Sequence, residues 1–222
     1  MKQVLIFCEG VTDQIFIADC LESIFKAVTE RNENKKNKKK LEIRFKHSNF
    51  KGKIIAVDGC SMLRKNEFLH TEMQDNKEEG GANIVIFDAD YTEKENGNKG
   101  IAACRQRLNS IITSKNIEFD YYIWPNNESD GEIETLLRSL IPSNKEPIFQ
   151  CIEDHQNCLK SLNIINLKYA DLKTKIGFYL HTSNENSEVR KRDYKNSDFW
   201  NLNYKNNDSL KKFIAFMEAI LV

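Results

Sequence analysis

The chain has 222 residues, and its 33 basic and 33 acidic side chains leave a formal net charge of zero. This balance excludes a polycation that binds nucleic acid through its overall charge, so any such affinity must come from local basic patches. The length suits one domain or one domain with a small addition. No apolar run approaches the roughly 20 residues that a membrane span needs, and the six cysteines include no CxxC pair. We therefore expect a cytoplasmic protein with reduced thiols and no membrane contact.

The stretch VLIFCEGVTD at residues 4–13 predicts a strand that turns sharply into a helix. Its apolar run is long enough for a buried strand and too short for a helix. Glu9 follows the run, and Thr12 or Asp13 can cap a helix whose apolar side chains recur at helical spacing as far as Val28. A carboxylate thus stands at the carboxyl end of a strand, where open α/β sheets bind their ligands.

Residues 29–41 are polar and predict a solvated loop, although a basic arm that contacts phosphates is the alternative. The lysines of this stretch are Lys35, Lys36, Lys38, Lys39 and Lys40. Residues 42–45 and 53–57 then predict two short strands, and Lys53 at the start of the second is a further candidate for phosphate binding.

Two more buried strands are predicted, and both run into acidic residues. The strand at 83–87 ends at Asp88 and Asp90, and the strand at 119–124 leads to a loop and a helix start. The acids beyond this last strand are Asp130, Glu132 and Glu134.

Helices are predicted between and after these strands, at residues 101–112, 133–141, 147–162, 167–180 and 208–221, with an irregular segment at 185–207. The alternation of strands and helices predicts an α/β fold with a parallel sheet covered by helices on both faces. We expect residues 1–141 to form this core and residues 142–222 to form a mostly helical C-terminal extension packed on the same domain.

The carboxyl ends of parallel strands lie on one edge of a sheet, so acids that are far apart in sequence can meet there. Clustered carboxylates repel one another unless protons or a cation neutralise them, and hard oxygen ligands favour magnesium or manganese. Strand alternation predicts that Asp88 and Asp90 face the same ion. Single acids also have simpler explanations, as helix caps or solvated side chains, and these apply to Asp13, Asp130, Glu132 and Glu134.

In combination, these motifs resemble the Toprim domain of topoisomerases, bacterial primases, recombination proteins and OLD-family nucleases. The matching segments are VLIFCEGVTD and IVIFDAD, and the segment WPNNESDGEIETLL looks like that of small stand-alone Toprim-like proteins related to the OLD nucleases. The resemblance covers residues 1–141 and implies a Toprim-like, Rossmann-like sheet.

The resemblance also implies roles for individual side chains. It implies one or two Mg²⁺ or Mn²⁺ ions held by Glu9, Asp13, Asp88, Asp90 and Glu134. Glu9 matches a glutamate that acts as a general acid or base. A lysine further along the chain stabilises the transition state in these nucleases, and Lys175 is the better match, with Lys173 second.

The function implied by the resemblance is metal-dependent cleavage of phosphodiesters in DNA or RNA, in phage defence or nucleic-acid processing. Full OLD proteins also carry an ATPase domain that these 222 residues do not contain. The protein is therefore expected to act alone or with a separate ATPase chain, and the sequence leaves its oligomeric state open. Two alternatives are a non-catalytic module that binds metal and nucleic acid or a protein partner, and an enzyme acting on a small nucleotide.

Overall fold

The computed structural model describes residues 1–33, 41–92, 99–183 and 188–222. Its strands are β1 (Lys2–Cys8), β2 (Val28–Glu33), β3 (Leu41–Lys46), β4 (Phe50–Ala56), β5 (Ala82–Asp88) and β6 (Asp120–Trp124). Its helices are α1 (Val11–Ser23), α2 (Cys60–Lys65), α3 (Glu67–Glu78), α4 (Ile101–Lys115), α5 (Ile133–Ser139), α6 (Glu146–Ser161), α7 (Leu172–Thr182) and α8 (Asp208–Leu221).

The strands form one mixed sheet in the order β2-β3-β4-β1-β5-β6. Strands β4, β1, β5 and β6 are parallel, whereas β2 and β3 add an antiparallel hairpin at one edge. The register pairs Cys8 with Ile86 and Asp88 with Trp124, so the carboxyl ends of β1, β5 and β6 lie together. This arrangement confirms the predicted α/β class and the predicted common edge.

Side chains alternate along β1 between two hydrophobic clusters, because successive residues of a strand point to opposite faces. Val4, Ile6 and Cys8 pack in one cluster with side chains of α1, α5, α7 and α8. Leu5 and Phe7 pack in the other cluster with side chains of α2, α3 and α4. Helices therefore cover both faces of the sheet, as predicted.

The C-terminal helix α8 contributes to the same core as the strands. Phe213 of α8 contacts Trp124 of β6, with ring centroids 4.7 Å apart, and Trp124 contacts Phe16 of α1 at 5.8 Å. The predicted bounds of α8, residues 208–221, are confirmed. The helix forms there because its apolar residues recur at helical spacing and the side chain of Asn207 caps its first turn by accepting from the Leu210 amide. None of the helices in the described ranges is long and apolar enough to cross a membrane.

Three sequence expectations about local structure were wrong. Residues 29–33 belong to strand β2 rather than to a loop, because pairing with β3 supplies backbone hydrogen bonds that their polar side chains do not reveal. Helix α1 ends at Ser23, and Val28 lies in β2 with 69% of its surface exposed. Helix α7 begins at Leu172, after the cap Asp171, and not at residue 167.

Candidate active site at the carboxyl edge of the sheet

The turn from β1 into α1 places two acids at the sheet edge. Glu9 directly follows β1, and Asp13 lies buried in the first turn of α1. One oxygen of Asp13 accepts from the Gly10 amide at 3.0 Å, and the other accepts from Nε1 of Trp124 at 2.7 Å. These two hydrogen bonds fix the Asp13 carboxylate in one orientation.

Asp88, the last residue of β5, connects three chain segments. Its amide donates to Oε2 of Glu9 at 3.3 Å, and its Oδ1 accepts from the Ile133 amide at 2.8 Å. The second bond brings the first turn of α5 against the end of β5. Glu134 follows in that turn, with 4% of its surface exposed.

Four of these carboxylates line a cavity of about 370 Å³. The acids at its wall are Glu9, Asp13, Asp88 and Glu134. Lys173 of α7 and Arg190 also line it, and Nζ of Lys173 lies 3.8 Å from Oε1 of Glu134. Four predicted metal ligands therefore share one cavity with two cationic side chains.

The pKa values of the acids in this cavity are raised, so their charged forms are destabilised. Burial raises the pKa of Asp13 to about 7, against the lowering effect of the Trp124 hydrogen bond and with a further rise from the charge of Glu9. Burial also raises the pKa of Asp88 well above its usual value, and the charges of Asp13 and Glu9 raise it further. The pKa values of Glu9 and Glu134 are raised as well, chiefly by burial. Such a cluster requires protons or a cation to become stable.

The donor set suits a hard divalent cation, since all four acids offer carboxylate oxygens and the described residues at the cavity wall include no cysteine, methionine or histidine. Within the described ranges, no three carboxylate, histidine or cysteine side chains stand close enough together to hold an ion in their present orientations. Metal binding therefore requires side chains such as Glu9 and Glu134 to rotate toward a common point. The bonded oxygens of Asp13 each retain a second lone pair for a ligand.

Asp90 does not line the cavity, which corrects the expectation that it faces the same ion as Asp88. Strand β5 ends at Asp88, and Asp90 has a left-handed backbone with φ of 61°, so strand alternation no longer applies. Its Oδ2 accepts from Nζ of Lys99 at 2.7 Å. Asp90 still lies near the site, because its charge contributes to the raised pKa of Glu9.

The structure also corrects the choice of lysine. Nζ of Lys175 lies 2.8 Å from Oε2 of Glu153 on α6, and Lys175 does not line the cavity. Lys173, the second candidate, does line it. Residues two apart on a helix point in different directions, so only one of these lysines can face the acids.

The remaining sequence candidates have other surroundings. Oδ1 of Asp130 accepts from the Ile101 amide at 2.8 Å, so Asp130 caps helix α4 and has the helix-capping role that was the alternative to metal binding. Glu132 is the N-cap residue of α5. Lys53 pairs with Glu72 of α3. The lysines at 35, 36, 38, 39 and 40 lie outside the described residues.

Arg190 lines the cavity, although its sequence context gave no indication of this position. It belongs to a short 3₁₀ segment, Val189–Lys191, within the stretch that was predicted to be irregular. No periodicity marks such a segment, and a lone arginine among polar residues gives no signal of its own. Only the packing of the C-terminal part against α1 brings this residue to the cavity.

Comparisons with known proteins support the fold and the family. A sequence profile described as "Protein of unknown function (DUF3226)" matches residues 3–221. The chain is similar in structure to the hypothetical protein PH0156 from Pyrococcus horikoshii OT3, with a TM-score of 0.55 and 13% sequence identity over 99% of this chain and 95% of that one. No curated protein matches the chain in sequence.

Proposed function

The chain belongs to the DUF3226 family, and we propose that it is a metal-dependent phosphodiesterase that cleaves DNA or RNA. One observation carries this proposal: Glu9, Asp13, Asp88 and Glu134, from three separate segments, line a single cavity together with Lys173. Buried acids with raised pKa values beside a cation in a cleft are typical of functional sites.

The Toprim resemblance supports the same reading. Each of its three segments supplies at least one acid to the cavity. The outermost of these acids, Glu9 and Glu134, are 125 residues apart in sequence. A structural role alone does not require this convergence, since buried unpaired acids destabilise a fold. The departure of Asp90 from the cavity is the one mismatch within the predicted metal set.

The chemistry follows from the positions of the chain's own groups. Bound Mg²⁺ or Mn²⁺ would supply charge stabilisation and an activated water. Glu9 stands at the open end of β1, where it can accept a proton from the attacking water or return one to the leaving oxygen. Lys173 and Arg190, which line the cavity, would place positive charge beside a scissile phosphate bound there.

The direct test is cleavage of plasmid, single-stranded DNA and tRNA by the purified protein with Mg²⁺ or Mn²⁺. We expect cleavage of at least one of these polymers, with loss of cleavage in EDTA and in the Asp88→Asn variant. Calorimetric titration should show that this variant binds the divalent ion more weakly than the wild type. Absence of cleavage with every substrate and ion would contradict the proposal.

A second candidate is a non-catalytic module that binds nucleic acid or a partner, and two observations favour it. Within the described residues no three side chains converge as metal ligands, and both oxygens of Asp13 already accept hydrogen bonds. A wild type that binds nucleic acid with salt-dependent affinity, yet never cleaves it, would select this candidate.

The position of Lys173 leads to a paired prediction. Lys173→Gln should lower cleavage by about tenfold or more, because it removes a charge beside the reacting phosphate. Lys175→Gln, two residues away, should leave cleavage unchanged, since its amine faces Glu153. Rates measured at saturating substrate distinguish the two variants, and equal rates would rule out a catalytic role for Lys173.

A further inference from the structure

At the antiparallel end of the sheet, the face that continues from Leu5 and Phe7 carries charged side chains. It bears a groove of about 790 Å³ beside α3, whose Glu72 pairs with the lining residue Lys53. The charged side chains that line the groove are Glu30, Glu42, Arg44, Lys46, Lys51 and Lys53. Val28 at its edge is 69% exposed, so this part of the sheet meets solvent.

Like charges stand directly opposite one another across this groove. The register of β3 and β4 pairs Arg44 with Lys53 and Lys46 with Lys51. Directly opposed like charges destabilise a sheet, because their side chains lie only about 5 Å apart. Glu30 of β2 lies opposite Arg44 in the register and Lys53 pairs with Glu72, so the excess positive charge of this face is concentrated at Lys46 and Lys51.

The acids nearby neutralise this charge incompletely. Arg44 pairs with Glu42 at 2.7 Å, but both side chains are half exposed or more, so the pair is weak. Lys53 pairs with Glu72 of α3. Among the residues that the structure describes, none forms an ion pair with Lys46 or Lys51.

We propose that this groove binds the phosphate backbone of nucleic acid. Phosphate groups along a polymer can lie beside both cation pairs and relieve their repulsion. Phe45 is the aromatic residue among the described lining residues, and it is buried, so the groove offers no platform for base stacking. Contacts of this kind hold the backbone of a duplex without reading its sequence.

The position of the groove favours a polymer over a small nucleotide. Strand β4 runs from Lys51 in the groove to Ala56, which pairs with Cys8 beside the acids. Five residues of strand span about 17 Å. The groove lies on the face of Leu5 and Phe7, whereas α1, α5 and α7 of the cavity pack on the other face, so a polymer that passes around the sheet edge can contact both places and one nucleotide cannot. This inference rests on the proposed function only for the choice of nucleic acid as the polyanion.

The test measures binding of a labelled DNA duplex in EDTA, so that cleavage plays no part. The variant is Lys46→Gln with Lys51→Gln. We expect its affinity to fall more than tenfold at about 0.1 M salt, and the slope of log K against log salt to decrease in magnitude by about 1.8 for two lost phosphate contacts. Its melting temperature should stay equal to that of the wild type or rise, because a like-charge pair has been removed.

The matched control neutralises two exposed lysines elsewhere, Lys168→Gln with Lys211→Gln, and should bind like the wild type. Equal affinity and slope in the two double variants would overturn the proposal. Displacement of the duplex by polyglutamate as effectively as by unlabelled DNA would also overturn it, in favour of an acidic polypeptide partner. If the wild type never cleaves nucleic acid but the groove variant loses binding, the proposed enzyme activity fails and the groove assignment stands.

Discussion

Replacement of Glu9 by Gln is expected to lower the rate of nucleic-acid cleavage by about 10²–10⁴-fold, the usual contribution of general acid–base catalysis. Glutamine keeps the size of the side chain and can still accept a hydrogen bond from the Asp88 amide, which donates to Glu9 at 3.3 Å. It removes the charge and the basicity. The fold should therefore persist while proton transfer fails, and single-turnover rates with Mn²⁺ measure the difference.

Two comparisons make this result specific to the cavity. Glu118→Gln, at an exposed glutamate that pairs with Lys77, changes the net charge equally and should cleave at the wild-type rate. Glu9→Gln should also bind DNA in EDTA as tightly as the wild type, because that affinity comes from lysines that contact phosphate. Wild-type cleavage by the Glu9 variant would remove Glu9 from the chemistry.

The second large effect concerns stability and pH. The pKa of Asp13 in the folded protein is raised to about 7, against roughly 3.9 in an unfolded chain. The folded state therefore binds more protons than the unfolded state between these values, and the free energy of unfolding falls as pH rises from about 4 to 7. Asp88, whose pKa is also raised by burial and by the charge of Asp13, contributes to the same loss of stability.

Urea unfolding of the metal-free protein at a series of pH values measures this loss. Asp13→Asn should flatten the pH dependence, although it should also lower stability at pH 5, because an amide cannot accept from both Gly10 and Trp124 through two oxygens. The exposed Asp120→Asn serves as the control and should keep the wild-type slope. A slope that is unchanged in Asp13→Asn would show that Asp13 does not carry it.

Divalent ions should reverse the loss of stability that occurs as the pH rises. A cation binds carboxylates in competition with protons, so Mn²⁺ should raise the melting temperature much more at pH 8 than at pH 5. The same increment at both pH values would indicate that the ion binds elsewhere than at the buried acids.

The sequence by itself determined the parallel core and the place where the candidate acids meet. The apolar runs before Glu9 and Asp88 are too short for helices and too apolar for an exposed strand, so local chemistry required buried strands there. Parallel strands end at one edge, and this rule alone predicted that Asp13, Asp88 and Glu134 would lie near one another, as the cavity shows. The sequence also determined helix α8, because its apolar stripe and its N-terminal cap indicate the same start and the same buried face.

Only the tertiary structure decided which polar residues reach that site. Strand β2 exists because β3 pairs with it, and its side chains show no strand pattern of their own. Lys173 and Lys175 lie on different sides of α7, so Lys173 faces Glu134 and Lys175 faces Glu153. The left-handed backbone of Asp90 after β5 directs its side chain away from the cavity. Hydrophobic periodicity fixes which face of an element is buried, but the neighbours of an exposed or half-buried charge depend on segments that are distant in sequence. That is why the sequence predicted four of the five acids, Glu9, Asp13, Asp88 and Glu134, whereas the position of Asp90, the choice of lysine and the contribution of Arg190 depended on the tertiary structure.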